Sequence, residues 1–281
     1  MRLSIVTPSF RSAAWLKLNI ASVADQGVEL EHIVQDSCSD DGTADWLPSD
    51  RRVNAHVEKD SGMYDAVNRG LRKSSGEIVA YLNCDEQYLP GALPAVLEYF
   101  DSHPRTDLLF ADALVVDPKG DCICYRKVQL PVKHHVMVSH LTTFTSSMFF
   151  RRKLLDQGIY FDTKWRALGD ADWVLRAMEV KATMGILRRF VSAFTDSGAN
   201  LSLGAQGRKE KKRMFDLAPG WARVLTPLLV AQHRVRRSLG GIYRQAPFDY
   251  ALYTQDSPDR RKLFHVAHPT FVWKSRLTWA S

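Results

Sequence analysis

The sequence predicts an α/β protein, with a mostly parallel central sheet flanked by helices and a basic, mostly helical C-terminal extension. Three observations lead there. Short apolar segments alternate with helical patterns through about residue 205. Several of those segments end on polar or acidic residues, as strands do where a ligand crevice opens beyond their carboxyl ends. Charge is also unevenly spread: of 38 Lys/Arg and 31 Asp/Glu in 281 residues, residues 206–281 hold 15 and 5. A slightly acidic body, 1–205, therefore precedes a basic tail, 206–281.

The elements follow in order. Leu3-Ser4-Ile5-Val6-Thr7 reads as a strand ended by Pro8, and a helical pattern runs from Ala13 to about Asp25. Leu30 to Asp36 is the next strand, closed by the polar loop Ser37 to Gly42. A short helix begins at Ala44, and Val53 to Val57 alternates as a third strand. Tyr64 to Lys73 has helical spacing and stops at Ser74-Ser75-Gly76. Glu77 to Asn83 is a strongly apolar strand followed by Asp85 and Glu86. Pro90 to Phe100 is a helix and Asp107 to Ala111 a strand. The segment 112–150 is less regular, with strand-like pieces around the turn Pro118-Lys119-Gly120. Ala171 to Met178 is a helix, Ala182 to Phe194 one or two strands, and the charge run 208–213 opens a helix.

The composition, 45% hydrophobic and 25% charged, excludes disorder as the ruling description. No secretory signal opens the sequence, and no apolar stretch approaches the ~20 residues of a membrane span. The longest, Val224 to Ala231, is interrupted by Pro227. The expectation is a cytoplasmic protein unless something anchors it. Cys38, Cys84, Cys122 and Cys124 form no C-x-x-C pair, so reduced, mostly buried thiols are expected rather than a zinc site. Cys122 and Cys124, two apart, are expected on one face of a strand.

Three polar features fall at strand ends: Thr7-Pro8-Ser9, Asp36 with its loop, and Asn83-Cys84-Asp85-Glu86. A carboxylate in such a place suits Mg²⁺ or Mn²⁺, which take oxygen ligands from one or two carboxylates plus substrate phosphates. An acidic pair after an apolar strand is also an ordinary loop start. Asp40-Asp41-Gly42-Thr43 is a turn and helix start on composition alone, and Asp65 sits where it favours a helix dipole. Arg176 lies one turn after Asp172, at ion-pair spacing.

Taken in order, five segments resemble the family 2 glycosyltransferases. They are Leu3-Ser4-Ile5-Val6-Thr7-Pro8-Ser9; Asp36 to Thr43, similar to D-G-x-S-x-D-G-T; Asp60 to Gly70, similar to D-x-G-x-Y-D-A-x-N-x-G; Leu82 to Glu86, similar to L-N-x-D-D; and Gly169 to Arg176, similar to D-x-D-x-x-x-R. The match covers roughly residues 1–205. It departs at Asn83, an amide where the metal motif's first carboxylate is expected, and at Glu86, which replaces an Asp. The third and fourth segments resemble one bacterial subgroup of the family in particular; Thr145-Ser146 stand where that subgroup often carries His-Gln, and His140 lies out of register.

The resemblance implies a GT-A fold and a role for each matching position. Thr7, Pro8 and Ser9 would line the nucleotide pocket. Asp36 would accept a hydrogen bond from the base, most often uracil, and Asp60 would sit near the nucleotide or donor sugar. Asn83, Cys84 and Asp85 would contact the nucleotide-sugar, Asp85 through a divalent metal, Mn²⁺ or Mg²⁺. Asp170 would be the general base, with Asp172 as the fallback. The activity implied is inverting transfer from a nucleotide-sugar, a UDP-sugar first, to a glycan or lipid-linked acceptor in polysaccharide synthesis.

The basic tail admits three readings: a solvated helical face, an anionic membrane surface, and nucleic acid. Lys/Arg interleaved with Trp221, Leu225, Leu228, Leu229, Trp273 and Trp279 fits an interfacial helix at the inner face of the plasma membrane. No recognition motif accompanies the charge, so no nucleic-acid partner is expected. Two rival functions stand beside the transferase. A sugar nucleotidyltransferase needs a glycine-rich basic loop after the first strand, which Pro8-Ser9-Phe10-Arg11-Ser12 is not. A non-catalytic nucleotide-sugar or glycan-binding partner predicts binding that survives loss of Asp170.

Overall fold

A computed structural model describes residues 1–198 and 204–273. Strands β1 (Leu3–Ser9), β2 (Glu31–Asp36) and β3 (Asn54–Val57) are separated by helices α1 (Ala13–Ala24) and α2 (Thr43–Trp46). Helix α3 (Met63–Lys73) leads into β4 (Ile78–Tyr81) and the short β5 (Gln87–Tyr88). Then come α4 (Ala92–Ser102), the long β6 (Leu108–Val116), β7 (Cys122–Arg126), α5 (Lys133–Val138), β8 (Met148–Arg151) and α6 (Lys153–Asp156). Helix α7 (Gly169–Glu179) and β9 (Met184–Thr195) complete the body.

The strands form one sheet of order β3-β2-β1-β4-β8-β6-β9-β5, with β7 on β6. The half built from β3, β2, β1 and β4 is parallel, so its carboxyl ends share one edge. Beyond β4 the sheet is mixed. Of the eight pairings among the described residues, four are parallel and four antiparallel. The expectation of a mostly parallel sheet holds by strand direction: among the described residues β1, β2, β3, β4, β6 and β9 run one way, and β5, β7 and β8 run against them. The antiparallel β8 was not foreseen as a strand; inserted between β4 and β6 it runs against both, while β6 and β9 keep the direction of β4.

Both faces of the sheet are covered, which is why its strands read as near-continuous apolar runs. Alternate residues feed opposite cores. Val6, Val79, Leu108 and Phe150 join Tyr64, Val67, Leu71 and Trp173 on one face. Leu3, Ile5, Ile78, Leu109 and Phe149 join Val23, Leu93, Val96 and Phe100 on the other.

The thiols are free, but only Cys124 is buried; Cys84 and Cys122 are half-buried and Cys38 is exposed. Cys122 and Cys124 do not share a face. Val115 pairs with Cys124 and Val116 with Cys122, a bulge that inserts one extra residue. Cys122 consequently packs with Leu114 and Tyr125, and Cys124 with Val115 and Trp273.

The segment after residue 205 opens with helices α8 (Ala205–Asp216), α9 (Gly220–Val224) and α10 (Thr226–Leu239). It then forms an antiparallel hairpin, β10 (Phe248–Thr254) with β11 (Ser257–Val266), where helix was expected. Tyr250 and Leu252, alternating along β10, bury against Leu89, Leu114 and Ala193 of the body. Arg261 pairs with Asp25 at the end of α1, and the Tyr250 hydroxyl donates to the Gly120 carbonyl at 2.6 Å. Trp279 lies outside the described residues.

Candidate active site

A cavity of about 940 Å³ opens at the carboxyl-end edge of the parallel half-sheet, in the size range of small-molecule sites. Pro8 and Ser9 end β1 in its wall, and Asp60, Asn83, Cys84, Asp85 and Asp170 also line it. So the structure brings together seven of the ten residues singled out in the sequence. Lys211 and Met214 of α8, and Trp273, line the same cavity, so the C-terminal segment is part of its wall.

Thr7, Asp36 and Asp172 lie outside that wall. Thr7 is fully buried, and its hydroxyl meets Asn19 and His32 instead. Asp36 is also fully buried, with its carboxylate accepting from the Ser39 backbone N–H at 2.8 Å and the Ser39 hydroxyl at 2.7 Å. It shapes the loop that brings Ser37 to the cavity rather than reaching in itself. Asp172 follows Asp170 by two residues on a helix, about 200° around its axis. There it pairs with Arg176 at 2.8 Å.

Asp60 and Gly62 build the next part of the wall. The Gly62 N–H donates to the Asp60 carboxylate at 2.8 Å. Gly62 has φ +133, a conformation L side chains avoid, and a Cβ there would collide with the Arg166 guanidinium. That guanidinium donates to the Ser61 carbonyl, tying the loop before α7 to the loop before α3.

The Asn83–Glu86 turn carries the acidic end of the site. Burial pushes the Asp85 carboxyl up from its ordinary value. No ion pair to Asp85 is present among the described residues. Burial first, and the Asp85 charge second, push Glu86 up to about 8, so it is mostly protonated at neutral pH. Its carboxyl accepts the Asn83 backbone N–H at 2.9 Å. The same two causes raise the Cys84 thiol to about 12, which makes it inert rather than a thiolate nucleophile. Two buried polar atoms of the wall, Ser9 Oγ and Asn83 Oδ1, have no hydrogen-bond partner in the protein. Such groups are normally satisfied by water or ligand.

No group of three or more His, Cys, Asp or Glu among the described residues is arranged to hold a metal. The donor set nevertheless fits a hard divalent cation of the Mg²⁺ or Mn²⁺ kind. Asp85 offers a carboxylate and Asn83 an orphaned amide oxygen, and such ions take their remaining oxygens from phosphates and water.

Asp170 lies in the first turn of helix α7 and also lines the cavity. Burial raises its carboxyl to about 6, and the Glu210 charge adds to the rise. Its Oδ1 accepts the Ala171 N–H at 2.8 Å, and its own N–H donates to the Tyr64 hydroxyl at 3.2 Å. Tyr64 itself is pushed far up, by burial first and the Asp170 charge second, so it stays protonated. A carboxylate titrating near 6 is ionised at neutral pH and matched to accepting a proton.

Sequence reasoning missed Glu210, which lay inside a run of basic residues. It is 3% exposed, and its oxygens accept the backbone N–H groups of Arg166, Ala167 and Leu168 at 2.8–3.0 Å. A single acid inside the basic run 208–213 was the available signal.

Residues 4–116 match the family model Glycosyl transferase family 2. The PGL/p-HBAD biosynthesis glycosyltransferase of Mycobacterium tuberculosis is 30% identical over 221 residues, 75% of this chain and 83% of that relative. The putative teichuronic acid biosynthesis glycosyltransferase TuaG of Bacillus subtilis is 33% identical over 102 residues, 34% of this chain and only 40% of that protein's length. Among solved structures, S. aureus TarS 1-349 in complex with UDP superposes with a TM-score of 0.59 at 19% identity, covering 86% of this chain and 74% of TarS. The mannosyltransferase PcManGT from Pyrobaculum calidifontis, in complex with GDP-Man and Mn²⁺, gives 0.55 at 16%, covering 83% and 75%. These likenesses carry the GT-A fold. The mycobacterial relative, matched over most of its length, settles the family: the chain belongs to glycosyl transferase family 2 and is, by that membership, a glycosyltransferase.

Proposed function

We propose that this chain transfers a sugar from a nucleotide-sugar, a UDP-sugar, to an acceptor hydroxyl with inversion at the anomeric carbon. The observation that carries the reading is the sharing of one cavity by Asp85 and Asp170, with the strand-end residues Pro8, Ser9 and Asn83 in its wall. UDP as the carrier is supported by the superposition on a UDP complex of TarS. The names of the two relatives, teichuronic acid and PGL/p-HBAD biosynthesis, support an acceptor in surface polysaccharide or lipid-linked glycan synthesis. The reading places the enzyme in the cytoplasm, at the inner face of the plasma membrane.

The chemistry follows from the wall. Ser9 and Asp60 bind and orient the nucleotide end of the donor. Asp85 and Asn83 would hold a divalent cation, which supplies charge neutralisation to a departing diphosphate. The ionised Asp170 accepts the proton of the acceptor hydroxyl as that oxygen bonds to the anomeric carbon. The bond from that carbon to the diphosphate oxygen breaks, and its electron pair leaves with the nucleotide. A single displacement inverts the centre without a covalent enzyme intermediate.

The test is nucleotide release from UDP-, GDP- and dTDP-sugars with Mn²⁺, Mg²⁺ or EDTA, in the wild type, Asp85→Ala and Asp170→Asn. Turnover of one donor, lost in both variants, is expected. The donor should still bind Asp170→Asn. Donor binding without turnover in the wild type, even with lipid-linked acceptor supplied, favours a non-catalytic binding partner. The absence of nucleotide binding under every condition overturns the reading.

A further inference from the structure

Helices α9 and α10 present two unlike faces. One packs on α5: Ala218, Ala222 and Leu229 gather with Val138 and Met137, and His233 stacks on His135. The other is exposed and apolar. Leu217 at the end of α8, Trp221 and Val224 of α9, and Leu228, Val235 and Leu239 of α10 are all exposed, and the three on α10 recur at seven and four residues, the repeat of one helical stripe. Val224 is 78% and Leu239 84% exposed, values that no core role explains.

The charge around the stripe has one sign. From Leu217 to Phe248 the sequence contains no Asp or Glu, while Arg223, Arg234, Arg236, Arg237 and Arg244 punctuate it. Arg223 and Arg234 are exposed beside the apolar ridge, while Arg236 donates to the Leu130 carbonyl and Arg237 lies over the Tyr243 ring. Exposed apolar surface of this extent marks an interaction site, and cationic flanks select an anionic partner. A flat stripe of aliphatic side chains with one tryptophan, bordered by arginine, matches a lipid interface with negative headgroups. No helix among the described residues is long and apolar enough to cross a membrane, so the arrangement lies on a bilayer rather than through it.

We propose that the exposed face of α9–α10 docks the enzyme on an anionic phospholipid surface, with Val224, Leu228, Val235 and Leu239 entering the headgroup boundary. The placement has a consequence for the cavity. Helix α10 packs on α5, whose Val136 and Met137 line the cavity, and α8 contributes Lys211 and Met214. Docking therefore holds the cavity beside the headgroups, where the hydroxyl of a lipid-linked acceptor is presented. This deepens the proposed transferase reading, but binding to lipid requires neither donor nor turnover.

The test is co-sedimentation of the full chain with phosphatidylcholine vesicles and with vesicles containing 30 mol% phosphatidylglycerol (about one anionic lipid in three). The wild type and a Leu228→Glu/Val235→Glu double variant are compared, with light scattering and thermal melting alongside. The wild type is expected to bind the anionic vesicles, to release them as salt rises, and to ignore the neutral ones. The double variant should bind about tenfold more weakly or worse, with an unchanged melting curve and unchanged donor hydrolysis. Equal binding by both proteins overturns the proposal, as does failure of the wild type to bind. A wild-type dimer that becomes monomeric in the variant also overturns it, because the stripe is then a contact between two copies. Loss of donor turnover in a wild type that still binds vesicles would sink the transferase reading alone.

Discussion

The carboxylate of Glu210 accepts the backbone N–H of Leu168 at 3.0 Å, two residues before Asp170. The neighbouring N–H groups of Arg166 and Ala167 are held by the same side chain. Burial pulls the Glu210 carboxyl upward, but hydrogen bonds from Gln206 and the three backbone groups hold it below its ordinary value. A charged side chain from the basic C-terminal segment thus fixes the approach to α7 and the position of Asp170.

Glu210→Ala leaves three backbone donors without their acceptor. Unpaired buried donors cost about 1–3 kcal/mol each before water compensates, so denaturant unfolding should show a loss of at least about 1 kcal/mol. Turnover should fall with it, while nucleotide affinity, which the proposed reading assigns to Ser9 and Asp60, should change less. Glu210→Gln separates charge from shape. The Glu210 charge helps to raise Asp170, so in this variant the acid limb of kcat/KM should move to lower pH. An unmoved limb would reduce Glu210 to a purely structural tie.

Asp170 and Asp172 make opposite predictions. With Asp170 raised to about 6, kcat/KM should be flat above that value and fall tenfold per pH unit below it. The fall occurs because the protonated carboxyl cannot take the acceptor's proton. Asp170→Asn should lower turnover by about 10²–10⁴-fold with donor binding intact. Asp172→Asn removes only a part-exposed pair with Arg176, worth about 0.3–0.5 kcal/mol, and should leave the pH profile unchanged. A profile lost in Asp172→Asn and kept in Asp170→Asn would reverse the assignment.

The parallel half of the sheet was legible because strands buried on both faces must be apolar throughout, and their polar ends stand out. That logic locates the crevice, and it brought Pro8, Ser9, Asn83 and Asp85 to one wall. It does not say which side of a pleat a residue takes, so Thr7 was expected in the wall and faces Asn19 and His32 instead. For Asp170 and Asp172, helical geometry was sufficient to show that both cannot face one cavity. The hairpin was written in the alternation of Phe248, Tyr250 and Leu252, a period of two that the basic composition of the tail obscured. The bulge between Val115 and Val116 left no sequence signal, because it depends on how β7 seats on β6.

Gly169 supplies a steric test of the same position. A Cβ built there would lie 2.6–2.9 Å from three ring atoms of Tyr64. Tyr64 is 4% exposed and stacked on Phe161 at 5.4 Å, so its ring has nowhere to go. Gly169→Ala should therefore displace the first turn of α7 and carry Asp170 with it. Overpacking of this kind costs about 1–3 kcal/mol. Activity should fall more steeply than nucleotide binding, and a Tyr64→Phe background should not rescue it, since the clash is with ring carbons. Wild-type turnover in Gly169→Ala would show that the Asp170 position is not tightly constrained.

Glu86 links the site to the pH dependence of stability. Its folded-state value is raised from 4.5 to about 8, by burial and then by Asp85. Between those limits the folded protein binds a proton that the unfolded chain has released. The protonated Glu86 therefore contributes fully below about pH 4.5, and the contribution is lost as pH rises toward 8. Glu86→Gln keeps an acceptor for the Asn83 N–H and removes the titration. With EDTA present, so that no cation alters the balance, unfolding free energies of the two proteins should agree near pH 4. They should diverge as pH rises, with the variant the more stable by pH 8. Curves that run parallel from pH 4 to 8 would mean that Glu86 is already ionised in the folded protein. The buried turn beside Asp85 would then hold two negative charges rather than one.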